Sequence, residues 1–107
     1  MTGTDLPGAV TATLQALVHL GVAREMAALT GVSAETIYRH ARQDGAKGRP
    51  ARMDPETLRP LADLFLELGV LEQPSYGALR VAEDEIRRRA TERAARAGVA
   101  AARRRRK

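Results

Sequence analysis

Between Ser33 and Arg42 the chain sets polar side chains at helical spacing: Ser33, Glu35, Thr36, Tyr38, Arg39 and Arg42. In a helix with Ile37 turned inward, Ala34, Glu35, Tyr38, Arg39 and Arg42 turn outward. Such a face suits base-paired nucleic acid. Arg39 is the expected base reader, because a guanidinium makes two parallel hydrogen bonds to guanine in the major groove. Glu35 can accept from a cytosine amine, and Ala34 can touch a thymine methyl. Ser33, Thr36, Tyr38 and Arg42 are expected on phosphates, which fix position without reading sequence. A core position for Tyr38 is the competing reading.

Other chemistry finds little support. There is no cysteine, hence no disulfide, thiolate metal site or thiol nucleophile. His19 and His40 lack metal-ligand spacing with each other or with carboxylates. Gly45-Ala46-Lys47-Gly48 lacks the spacing of a phosphate loop and a preceding strand. Glu83 and Glu85 precede an arginine run, where a solvated ion-pair face is expected rather than acid–base catalysis. The expectation is a nonenzymatic protein with no metal, no cofactor and no evident small-molecule ligand. No apolar stretch approaches the roughly 20 residues of a membrane span, and the first residues lack a basic-then-apolar leader. The expected location is therefore the cytoplasm, on the nucleoid, with no membrane partner.

Charge is distributed unevenly. The 107 residues carry 18 basic and 13 acidic side chains, a net of +5. Residues 87–107 hold ten of the basic residues and one acid, Glu92, leaving eight basic and twelve acidic residues in 1–86. The positive field thus belongs to the C-terminal end. A strongly basic end points to a polyanion, with a solvated tail as the plain alternative. Arg103, Arg104, Arg105, Arg106 and Lys107 are expected to add salt-sensitive, sequence-blind affinity.

Alanine and leucine dominate, the aromatics are only Tyr38, Phe65 and Tyr76, and alternating β-branched runs are missing. The class is therefore all-α. A first helix enters at Leu6-Pro7-Gly8. It buries Val10, Leu14, Leu17 and Val18, and stops at Gly21. A second runs from about Ala23 to Thr30, with Ala27 as the small residue at a close crossing. Gly31 supplies the positive φ of a chain reversal, Val32 plugs the hinge, and Ser33 caps a third helix ending near Gln43. Asp54-Pro55 signals a fourth element. Because Pro60 costs a hydrogen bond and clashes inside a helix, either a short turn at 54–58 precedes a helix starting near Thr57, which is the expectation, or the helix is kinked. It buries Leu58, Leu61, Leu64, Phe65 and Leu68, and ends at Gly69. A last helix, 75–97, has the apolar stripe Leu79, Ala82, Ile86 and Ala90, with Gly98 as its stop.

Ala27, Gly31, Val32, Ser33 and Ile37 sit at the spacings of the bacterial and phage helix-turn-helix superfamily, which the chain resembles. The stretch from Gly31 to His40 is similar to the recognition helix of resolvases, invertases and transposases. His40 departs from the family, which usually carries an aliphatic residue there, so either the core is weaker at this point or Ala41 turns inward. The basic stretch 45–53 reads as a linker. Its Lys47-Gly48-Arg49-Pro50 also resembles minor-groove arms such as AT-hooks and the Gly-Arg-Pro arm of invertases. Lys47, Arg49 and Arg52 would then enter a narrow groove. Residues 69–80 look similar to the second DNA-binding subdomain of Mu-like and other DDE-type transposases.

The expected organisation is a helix-turn-helix domain at 6–44, a basic Gly/Pro linker at 45–53, a second helical domain at 54–97 and a basic tail at 98–107. The resemblance implies sequence-specific binding of double-stranded DNA, as the recognition module of a transposase or recombinase. Two alternatives stand beside it. One is a small transcriptional regulator, a homodimer through the 75–97 helix. The other is a nonenzymatic adaptor whose basic tail binds RNA or phosphate.

Overall fold

A computed structural model describes residues 6–42 and 54–105. Among these residues the fold is all-helical, with five helices and no strand: α1 (Leu6–His19), α2 (Ala23–Thr30), α3 (Ala34–Arg42), α4 (Pro55–Leu68) and α5 (Tyr76–Arg105).

Helix α1 carries no acid or lysine/arginine along its length. Val10, Thr13, Leu14 and Leu17 are its buried residues, at the i, i+3, i+4, i+7 spacing of a single stripe. Gly21, at φ +92°, reverses the chain. The Gly21 N–H bonds the Val18 carbonyl at 3.0 Å and the Val22 N–H bonds that of Leu17 at 3.3 Å, so two end carbonyls are satisfied. Val22 is then fully buried. The end of α4 repeats the device. Gly69 has φ +71°, its N–H and that of Val70 bond the Leu66 and Phe65 carbonyls, and Val70 is fully buried.

Two ends differ from the sequence expectation. Helix α4 begins at Pro55 rather than near Thr57, and it passes through Pro60 without stopping. Proline is tolerated as the first helical residue because its missing N–H would have no intrahelical partner. The Asp54 carbonyl then takes the Thr57 and Leu58 N–H groups at 2.9 and 2.8 Å. Pro60 deprives the carbonyl of Glu56, a solvent-exposed residue, while Leu61, Ala62, Leu64 and Phe65 just beyond are all buried. That burial outweighs the local cost. Helix α5 likewise runs through Gly98 to Arg105 instead of stopping. Every residue from Thr91 to Gly98 is exposed. A chain reversal at Gly98 would return nothing to a core there, unlike those at Gly21 and Gly69.

Helix α1 packs against both α3 and α4, and α2 packs against both α3 and α5. Phe65, Leu14, Leu17, Met26, Ile37, Leu61 and Ile86 are the large residues of one apolar cluster. The two stretches that the sequence divides at 45–53 therefore share a core. Thr13 ties them together, its hydroxyl donating to the buried Val70 carbonyl at 2.7 Å. Arg87 does so again from α5, donating through Nη2 to the Leu20 carbonyl at 3.1 Å. The expected end of the third helix near Gln43 and the linker lie outside the described residues.

Thr13→Val keeps the shape of its site and strands the Val70 carbonyl. It should cost about 1–3 kcal/mol, read as a lower denaturant midpoint, whereas Thr13→Ser should retain most of the stability. Gly98→Ala meets no neighbour and should raise the helical circular-dichroism signal, stabilising α5 by up to about 1 kcal/mol.

Candidate nucleic-acid interface

The turn before α3 is built from local hydrogen bonds. Gly31 adopts φ +80°, and its N–H bonds the Ala27 carbonyl at 3.0 Å. The Thr30 hydroxyl donates to the Met26 carbonyl at 2.7 Å and accepts the Val32 N–H at 3.2 Å. Val32 is buried behind the turn. The Ser33 Oγ accepts the Thr36 N–H at 3.2 Å and donates to the Thr36 hydroxyl at 2.8 Å. Ser33 is thus the cap of α3, as its position in the sequence predicts. Glu35 lies in the first turn, where a negative charge suits the helix dipole.

Ile37 is fully buried and fixes the rotation of α3 against α1 and α2. The opposite face follows: Glu35, Tyr38, Arg39 and Arg42 are exposed at i, i+3, i+4 and i+7. Tyr38 is 40 % exposed, so the core position considered for it is not the one it takes. Ser33 is exposed as well, while Ala34 and Thr36 are half-buried at the edge. Among the described residues Arg39 and Arg42 make no ion pair. Helices α4 and α5 pack chiefly on α1 and α2.

His40 itself fills the inner position beside Ile37. It is 8 % exposed, and its Nδ1 has no hydrogen-bond partner. Ala41 is only half-buried, so it does not take over the core position. Desolvation, then the Arg39 charge, push the His40 pKa below its ordinary value, and Asp54 opposes them.

The basic end of the chain divides in two. Arg87, Arg88 and Arg89 are bound internally. Arg87 Nη2 meets Glu83 at 2.8 Å, Arg88 pairs with Glu85 and Glu92, and Arg89 bridges Glu85 and Glu67 at 2.8 and 2.9 Å. Hydrogen bonds from Arg88 and then Arg89 hold the Glu85 carboxyl down at about 2. Glu83 is buried, an unexpected place for an acid, and Arg80 on its other side stands 3.2 Å away. Beyond Glu92 the exposed Arg93 and Arg96 have no such partners among the described residues. The sequence reading did not single them out, although their place after the last acid was a usable signal. Arg103, Arg104 and Arg105 continue α5, whereas Lys47, Arg49, Arg52, Arg106 and Lys107 lie outside the described residues. Of the apolar stripe of the last helix, Ala82 and Ile86 are buried within the chain itself.

Because the folded chain resists a proton on His40 more than the unfolded chain does, stability should fall as pH drops through the unfolded value of about 6.5. The loss should level off below the lowered folded value. His40→Leu should remove that dependence and, by eliminating an unpartnered buried nitrogen, stabilise the chain by about 1 kcal/mol; denaturant titrations at pH 5 and pH 8 measure both effects. No protein-family model matches the chain, and no curated protein or solved structure matches it.

Proposed function

We propose that the chain binds double-stranded DNA in a sequence-dependent manner, with α3 as the helix that enters the major groove. The observation that carries this reading is the exposed stripe Glu35, Tyr38, Arg39 and Arg42, whose arginines have no ion-pair partner among the described residues, opposite the buried Ile37. A short capped helix packed on two others fixes the direction of its outward positions, as a helix entering the major groove requires. Arg39 reads a base, and Arg42, Tyr38 and Ser33 meet phosphates. No helix among the described residues is long and apolar enough to cross a membrane.

The resemblance of 31–40 to resolvase, invertase and transposase recognition helices favours a mobile-element module over a dimeric regulator. A footprint distinguishes these. Asymmetric protection over two grooves belongs to the module, and a palindrome with half-sites about one helical turn apart belongs to the regulator.

Selection from a pool of randomised duplexes tests the reading. The unmodified chain should enrich a defined motif, and Arg39→Ala should lose preference at one base pair, worth about 1–3 kcal/mol. Enrichment of no motif, or of the same motif by both proteins, would contradict it.

A further inference from the structure

We propose that the overhanging part of α5, from Thr91 onward, is a second nucleic-acid contact: a basic helical arm that lays one face along a phosphodiester backbone.

Three observations carry this. First, α5 leaves the body. Ile86 is its last fully buried residue, and every position from 91 to 98 is exposed while the helix continues to Arg105. At 1.5 Å per residue, the stretch 91–105 reaches about 22 Å, comparable to about six phosphate steps of one DNA strand. The long dimension of the molecule, 58 Å against 26 and 22 Å, reflects such an extension. Second, the ion pairs partition the charge. Glu67, Glu83, Glu85 and Glu92 engage Arg80, Arg87, Arg88 and Arg89, and no acid follows Glu92. Along α5 the positive charge left for a ligand therefore begins at Arg93. Third, the helical register gathers it. At about 100° per residue, positions 93, 96, 103 and 104 fall within roughly a 100° arc.

The composition of the arm selects its occupant. Away from the basic arc stand Ala94, Ala95 and Arg105, and the largest apolar residue in 91–105 is a single valine, Val99, with no leucine or aromatic residue. A membrane-surface helix needs a bulky apolar face opposite its basic one, and a protein interface needs aromatic or aliphatic anchors. A phosphate backbone needs neither. The inference rests on duplex binding as proposed for α3 and places the arm's phosphate contacts on the same duplex.

The test moves charge without changing it. One variant combines Arg93→Ala and Arg96→Ala with Ala94→Arg and Ala95→Arg, turning two cations to the far side of the helix. All four positions are exposed, and circular dichroism checks that α5 is intact. Binding to a duplex of arbitrary sequence, followed over a range of salt concentrations, should weaken about tenfold. The slope of log affinity against log salt should fall by about two, as expected for two lost phosphate contacts. Arg93→Gln with Arg96→Gln should behave alike. Unchanged affinity and slope in the charge-moved variant would overturn the proposal, even if the glutamine variant weakens. So would binding to phosphatidylserine–phosphatidylcholine vesicles, or to polyglutamate, as tight as to duplex. The pool selection reads α3 separately. A missing motif with the salt-slope difference intact sinks the α3 reading alone, and a motif with no slope difference sinks the arm alone.

Discussion

The apolar stripe of α1 is the surface on which the rest of the chain depends. A chain of 107 residues has little apolar area to bury, and α1, free of lysine, arginine and acids, gives much of it. Val10, Leu14 and Leu17 are fully buried, with α3 and α4 both packed on α1. Ile37 can turn one face of α3 outward only because it has this partner for the other. Thr13, the polar member of the stripe, holds the Val70 carbonyl and so joins the end of α4 to the same surface. The orientation of the exposed α3 side chains is therefore a consequence of core packing, not of α3 alone.

Local signals made the helices legible. Gly21, Gly31 and Gly69 each adopt positive φ and each precede a buried valine, so the chain reverses where it gains a core contact. Ser33 before α3 and Ser75 before α5 both accept an N–H three residues on, at 3.2 and 3.1 Å. Two ends are set by the presence or absence of packing rather than by propensity. Pro60 and Gly98 are breakers by propensity, but one is overridden by Leu61 and Phe65 beyond it, and the other has no core to return to. Propensities near 1–3 kcal/mol yield to packing of several side chains.

Long-range relations were less legible. Nothing in 45–53 signals that the helices on either side bury one common core, since a Gly/Pro-rich connection reads as a linker whether or not its neighbours touch. Glu83 is a further case. Its sequence neighbours suggested a solvated ion-pair face, yet it is buried, and Arg87 couples it to the Leu20 carbonyl. The candidate interface was read more fully because it is local: one inward residue, Ile37, sets the phase for Glu35, Tyr38, Arg39 and Arg42. His40 departs from the aliphatic residue expected at its position, and the core accepts it as a neutral ring.

The proposed meeting of duplex DNA with the outer face of α3 is tested most directly by amide chemical-shift mapping of the isotopically labelled chain, titrated with a selected duplex. The largest perturbations should fall at residues 33–42, with the α1–α4 core contacts unchanged. Perturbations confined to other segments, with 33–42 unaffected at saturation, would contradict it.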